Sequence, residues 1–296
     1  PMLGRNQLVL DMSRKDVRDY LYDCLSTILE NHKIDYLKWD MNRSLSDVYS
    51  HCMPREQQGE VSHRFMLGTY ELMDRLTKAF PNVLIEGCAG GGGRYDAGIM
   101  YYSPQIWCSD DTDAIERIRI QYGTSFGYPV STMGAHVSAS PNHQTGRTTS
   151  LHTRGVVAMS GTFGYELNLK LLSDEEKEEV KQQIKDFKKY YWLIQDGLYY
   201  RLTNAMDTSF FTAWQFVSRD QNEALVNVVV TRPQPNSALA HVRLKGLDPK
   251  GLYQIEGEDR VYLGSALMYT GYTYPLLNGD YPAVQTHFIK VGEQNQ

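Results

Sequence analysis

Two aspartates, Asp40 and Asp110, each close a short apolar run, Asp35-Tyr36-Leu37-Lys38-Trp39-Asp40 and Gln105-Ile106-Trp107-Cys108-Ser109-Asp110. A run of that length reads as a buried strand. Two strands that deliver carboxylates at their C-terminal ends describe one side of a barrel active site, and two facing carboxylates are the working parts of glycoside hydrolysis. The plainer alternative, aspartates capping the helices that follow, is outweighed by their surroundings. Lys38-Trp39-Asp40-Met41-Asn42-Arg43 packs a cation, an aromatic face, a carboxylate and an amide into one strand end. A sugar offers a ring of hydroxyls and an apolar face, so Lys38, Asp40 and Asn42 suit the hydroxyls and Trp39 suits the face. Lys38 and Asp40, two apart on a strand, share a face, where the ammonium would hold the carboxylate ionised. In Trp107-Cys108-Ser109-Asp110-Asp111-Thr112-Asp113, three acids crowd four positions. Their repulsion, with burial, should raise the pKa of at least one, which a general acid requires.

At these residues the sequence resembles the family 36 glycoside hydrolases, the bacterial α-galactosidases. The matching segments are Gly4 to Asp11, Lys38 to Arg43, Glu86 to Asp96, Trp107 to Asp113 and Met133 to Ser138. The likeness runs over essentially the whole chain and is densest from Arg5 to about Leu169. It implies a retaining α-galactosidase that releases terminal α-D-galactosyl residues from raffinose- or melibiose-type oligosaccharides by double displacement. Asp40 would be the nucleophile and Asp110 the acid/base, about 5–5.5 Å apart. Arg5, Lys38, Asn42, Cys88, Gly91 and Trp107 would surround the galactose. The resemblance also implies a homo-oligomer when full length. Family members place a large β-sandwich and the first barrel strands before the segment that begins here, so the chain reads as the C-terminal portion of a larger enzyme. Two other readings share the fold: an α-galactosyl transglycosylase and a non-catalytic fragment. A metal-dependent hydrolase built on Asp110, Asp111 and Asp113 is the remaining competitor.

Strand and helix signals supply the scaffold. Leu8-Val9-Leu10 reads as a strand, and Ser13 as the N-cap of a helix whose apolar face runs Val17, Tyr20, Leu21, Cys24, Leu25, Ile28, Leu29. Strands are expected at Asp35–Asp40, Asn82–Cys88, Gln105–Ser109, Val130–Val137 and Phe163–Leu167, with helices between them. Ser173-Asp174-Glu175-Glu176 is a capping box that opens a helix to about Ile194. Alternation of strand and helix gives a parallel sheet: a partial (β/α)8 TIM-type barrel of about six βα units over residues 1–196. Asp40 and Asp110 lie two such units apart. After Asp196-Gly197 the pattern changes to short strands (Phe210–Val217, Glu223–Thr231, Leu239–Leu244, Leu252–Glu256, Val284–Ile289), an antiparallel β-sandwich over 197–296.

Gly90 to Gly93 lacks the Gly-Lys-Ser/Thr of a phosphate loop and reads as a strand-end turn where backbone comes close to a ligand. Cys88 has no histidine near it in sequence and reads as pocket wall. Arg94 and Asp96 are expected to pair, Asp111 and Asp113 either bind substrate or cap the next helix, and Trp192 and Trp214 pack in the interior. His136 sits at a pocket mouth. With His143 and His152 it lacks zinc-site spacing, so neither metal nor cofactor is expected. The net charge of −5, without a basic stripe, argues against a nucleic-acid partner. No apolar stretch approaches the length of a membrane span. The four cysteines show no paired spacing, which favours a reduced, cytoplasmic setting.

Overall fold

The computed structural model describes residues 3–207, 209–235, 241–275 and 277–294. The chain divides into two compact units, Pro1–Asp110 and Asp111–Gln296. The first runs α1 (Lys15–Asn31), β1 (Tyr36–Asp40), α2 (Val61–Ala79), β2 (Leu84–Cys88), α3 (Ala97–Tyr102) and β3 (Gln105–Trp107). β1 and β2 pair in parallel from Tyr36–Leu84 to Asp40–Cys88, and β2 and β3 pair through Glu86–Gln105 and Gly87–Ile106. Parallel neighbours need a crossover between them, here α2 and α3, so all three strands end at the same rim. Val17, Leu21, Leu25 and Leu29 of α1 pack with Met12 and with Phe65, Leu72 and Leu76 of α2. Each side chain fully buried there contributes roughly 1.5–3 kcal/mol.

Three expectations fail in this unit. Cys24 is exposed rather than core, because with the exposed Tyr20 and Ile28 it forms the neighbouring i, i+4 row of α1. Ser13 does not cap α1; the cap position is Arg14, and the Ser13 N–H and hydroxyl both donate to Asp11 Oδ1. Leu8–Leu10 is not a strand. Apolar character makes a segment extended, but only ladder hydrogen bonds make it a strand, and the described ladder of β1 runs to β2. Leu8 and Leu10 stay more than half exposed. Among the described residues the parallel strands therefore number five, not about six.

The second unit begins with α4 (Ala114–Thr124), β4 (Met133–Ser138), α5 (Leu151–Ala158), β5 (Thr162–Glu166) and α6 (Asp174–Asp196), with β4 and β5 again parallel. The capping box forms as expected: the Glu176 N–H donates to Ser173 Oγ, and the Ser173 N–H donates to the Glu176 carboxylate. There follow β6 (Leu198–Arg201), β7 (Phe211–Val217), β8 (Glu223–Val230), β9 (His241–Val242), β10 (Gly251–Ile255), β11 (Val261–Leu263), α7 (Gly264–Tyr269), β12 (Tyr272–Thr273) and β13 (Ala283–Glu293). Six of these strands form an antiparallel sheet in the order β11-β10-β13-β8-β7-β6, and β9 pairs with β12. β7 and β8 are buried on both faces. Trp214, Phe216, Leu225 and Val229 pack with Leu193 and Ile194 of α6. Ala213, Val226 and Val228 pack with Val242 and Tyr272 of the smaller sheet.

The expected change of architecture at 196/197 lies inside this unit, where α6 and the sheet share one core. Trp214 is interior as expected, whereas Trp192 is 75% exposed. Of the expected strand Leu239–Leu244, residues 239 and 240 lie outside the described residues; β9 is its described part. β6, β11 and β12 escape sequence reading because runs of two to four residues show no periodicity. Among the described residues no helix is long and apolar enough to cross a membrane.

Candidate active site

Strand alternation decides which side chains of β1 meet. Lys38 and Asp40 project from one face, and Trp39 from the other. Trp39 packs among Met12, Phe65, Met41 and Leu45. Its ring thus leaves β1 on the side away from the Lys38 ammonium. It borders a cleft of about 360 Å³ that also touches Asp40, Asn42, Leu8, Leu10 and Arg94. Lys38 does not pair with Asp40. Its register partner on β2 is Glu86, whose carboxylate is fully buried, and Lys38 Nζ lies 3.6 Å from Glu86 Oε1. A desolvated carboxylate needs a cation far more than one at a wet rim does, so the ammonium goes there. Gln105 Nε2 donates to Glu86 Oε2 over 3.2 Å. Lys38 Nζ also stands 4.7 Å above the ring of Trp107, which is buried at the end of β3. Glu86 is the buried carboxylate beside the site to which the sequence reading gave no role of its own. The available signal was a lone acid directly after the apolar run Val83-Leu84-Ile85.

Asp40 is held by two neutral donors. Asn42 Nδ2 donates to Asp40 Oδ2. Cys88, its register partner across the ladder, gives it a side-chain hydrogen bond. Burial, reinforced by Asp40 itself, pushes the Cys88 thiol up to about 11. At neutral pH Cys88 is therefore a protonated wall residue that donates to the carboxylate, not a nucleophile. Cysteine-directed alkylation at pH 7.5, followed by peptide mass spectrometry, should label the exposed Cys24 and Cys52 and spare Cys88. Labelling of Cys88 at a comparable rate would contradict this assignment.

The glycine loop connects the two aspartates. The Gly90 N–H donates to Asn42 Oδ1 over 2.9 Å. Gly91 has a φ of +82°, and a Cβ on it would meet Ser109 Cα at 2.7 Å and the Asp110 nitrogen at 2.8 Å. The close approach expected of this loop is thus to the backbone that carries Asp110. Gly91→Ala combines a left-handed conformation with a backbone clash, and both effects are unfavourable. It should lower the thermal midpoint by about 10 °C and displace Asp110; an unchanged midpoint in a thermal scan would refute the contact. The carboxylates of Asp40 and Asp110 are both exposed at the rim. Their strands are separated by β2 alone, so their backbones stand about 10 Å apart at a strand spacing of about 4.8 Å.

Arg94 does not pair with Asp96. It is largely buried, and its Nη2 donates to the carbonyls of Trp39 and Cys88 at 3.2 and 2.8 Å, tying together the ends of β1 and β2. Asp96 caps α3 by accepting from the Gly98 and Ile99 N–H groups, and it accepts from the Tyr70 hydroxyl. Arg5 lies exposed at the tip of a turn closed by Gly4 and Gln7, with Arg5 and Asn6 both at positive φ. Arg43 anchors that turn through the Gln7 carbonyl.

In the second unit, Asp113 caps α4 and accepts from Arg147 and Thr145. Burial pushes its pKa up, but these donors outweigh burial and hold it below the ordinary carboxylate range. Asp113 thus takes the helix-capping role, one of the two expected of it, and is not an acid that crowding raises. Asp111 accepts from the Asp113 N–H. His136 lies 3.5 Å from Glu166.

Parallel βα units followed by an antiparallel β domain define a partial (β/α) barrel, and in the first unit two carboxylates lie at the strand-end rim, the kind of group that glycoside hydrolysis uses. The chain belongs to the melibiase family: the Melibiase model matches residues 1–197, and the glycosyl hydrolase family 36 C-terminal domain matches residues 211–288. It is 55% identical over 293 residues to the bifunctional alpha-galactosidase/sucrose kinase of Mediterraneibacter gnavus, covering 99% of this chain and 30% of that protein. It is 51% identical over 278 residues to an alpha-galactosidase of Geobacillus stearothermophilus, covering 94% of this chain and 38% of that protein. The crystal structure of the Geobacillus enzyme superposes with a TM-score of 0.95 over 98% of this chain and 40% of that one. The alpha-galactosidase from Lactobacillus brevis superposes with a TM-score of 0.96 at 45% identity, over all of this chain and 41% of that one. The chain thus spans less than half the length of these relatives.

Proposed function

We propose that this protein is a retaining α-galactosidase in which Asp40 is the nucleophile and Asp110 the acid/base. Asp40 attacks the anomeric carbon of a terminal α-galactosyl residue. The bond from that carbon to the aglycone oxygen breaks as Asp110 gives that oxygen its proton. Asp110 then takes a proton from water, whose oxygen displaces Asp40 and releases galactose. Lys38, Asn42, Cys88, Gly91 and Trp107 form the wall around the sugar, with Arg5 at its outer edge.

The observation that carries this reading is the chain of contacts from the Asp40 carboxylate through Asn42 to Gly90, and from Gly91 to the backbone of Asp110. It sets two rim carboxylates one strand apart. The relatives lend support. The Geobacillus enzyme has been crystallised with raffinose and with stachyose, each time with one aspartate replaced, and those two positions are 70 residues apart, the separation of Asp40 and Asp110. Raffinose-type oligosaccharides are accordingly the proposed substrates. The same reading takes 1–196 as the catalytic barrel portion and 197–296 as the β domain, in a cytoplasmic homo-oligomer. The test is release of p-nitrophenol from p-nitrophenyl α-galactoside. Release that requires Asp40 supports the assignment; saturable galactose binding without any release would leave a sugar-binding fragment in its place.

A further inference from the structure

The second unit holds a cleft of about 440 Å³, bordered by Tyr190, Tyr262, Tyr272 and Thr273 and by residues 284–287 of β13. Its origin is a notch in the six-stranded sheet. β10 ends at Ile255, opposite Phe288, while β13 continues along β8 as far back as Ala283. The Glu256 N–H donates to the His287 carbonyl over 2.9 Å, so the backbone of His287 faces β10. In an antiparallel strand alternate residues turn their backbone groups to the same side. Gln285 therefore directs its N–H and C=O where β10 has already ended. Among the described residues no strand runs alongside it there.

The charges beside the notch are committed to one another. The Glu256 carboxylate takes Lys189 and lies 3.0 Å from His287 Nδ1, while His287 Nε2 lies 2.9 Å from Glu223. His287 is buried, and its ring meets Tyr190 edge-on with centroids 5.0 Å apart. Glu258 and Arg260 add one charge of each sign. Lys189, Glu256, His287 and Glu223 are bonded to one another, and Glu258 and Arg260 carry opposite signs, so among the described residues the wall presents no unpaired cluster of one sign to select an ion. It offers the backbone donor and acceptor of Gln285, the Arg260 guanidinium and tyrosine rings, while the Gln285 amide already donates to Asn227 and the Thr286 hydroxyl meets that of Tyr272. Those groups match a neutral ligand that carries many hydroxyls and an apolar face, and the volume suits one or two sugar rings.

We propose that this cleft is a second, non-catalytic saccharide site that takes a neutral oligosaccharide, with hydroxyls on the Gln285 backbone and Arg260 and a ring face on Tyr262. The cleft belongs to the second unit and the chemistry assigned to Asp40 to the first, and the two proposals can fail separately. Saturation-transfer NMR of the full chain with raffinose tests it. With Asp40→Ala used to stop hydrolysis and a galactose-mimicking iminosugar saturating the rim around Asp40, raffinose binding should persist, and it should weaken about tenfold with Tyr262→Ala or with Arg260→Ala, which lies at the exposed rim and keeps the test valid should the tyrosine variant unfold. Loss of raffinose binding once the iminosugar saturates that rim, or binding unchanged in a folded Arg260→Ala and Tyr262→Ala pair, would overturn the proposal. Aryl galactoside release is scored independently and reports only on Asp40 and Asp110.

Discussion

Asp40→Ala should reduce aryl α-galactoside hydrolysis by about 10⁴-fold or more, because it removes the group that forms the covalent intermediate. The carboxylate sits between Asn42 and the Cys88 thiol. Trimming it to a methyl group leaves a small gap on the face of the sugar opposite the aglycone. Azide added to the variant should enter that gap, displace an activated aryl group directly and give the β-galactosyl azide. The fold should be little disturbed, since Asp40 is exposed and its hydrogen-bond partners are neutral. Circular dichroism and the thermal midpoint separate lost chemistry from lost structure. A rate within tenfold of the parent would exclude Asp40 as nucleophile, and an α-azide would place the attacking group elsewhere.

Asp110→Asn should behave differently, and the difference identifies the acid/base. General acid catalysis contributes about 10²–10⁴-fold, and the need for it grows with the basicity of the leaving group. Hydrolysis of raffinose should therefore fall by about 10³-fold or more. Formation of the intermediate from an activated aryl galactoside should fall much less. With the second step slowed, aryl alcohol should appear as a burst equal to the enzyme concentration. Azide needs no base and should speed turnover with retention, giving the α-galactosyl azide. Equal losses on raffinose and on the activated substrate would assign Asp110 a positioning role instead.

The rim position of Asp40 was legible because it ends both an apolar run and β1, a local signal, whereas β3 stops at Trp107 and Asp110 follows it by three residues. The helix stripe of Val17, Leu21, Leu25 and Leu29 and the Ser173–Glu176 capping box were legible for the same reason, since both arise within a few residues. Trp39 shows where local reasoning was applied incompletely. Its place next to Asp40 in sequence already puts it on the opposite face of the strand, and the structure packs it against Met12 and Phe65. Leu8–Leu10 shows a limit of another kind: hydrophobicity cannot announce whether a neighbouring strand is there to pair with.

The amino-acid order alone determined the alternation of strand and helix, the shift to short antiparallel strands after Gly197, and the two acids that end β1 and follow β3. It did so because periodicity and strand-end placement depend on neighbours in the chain. Only the tertiary structure decided that Lys38 serves Glu86 instead of Asp40, that Arg94 ties β1 to β2, and that Gly91 lies against the backbone of Asp110. Those choices are set by which residue stands opposite which across a ladder and by which carboxylate has lost its water. Register and desolvation are properties of the assembled sheet, and no stretch of sequence contains them.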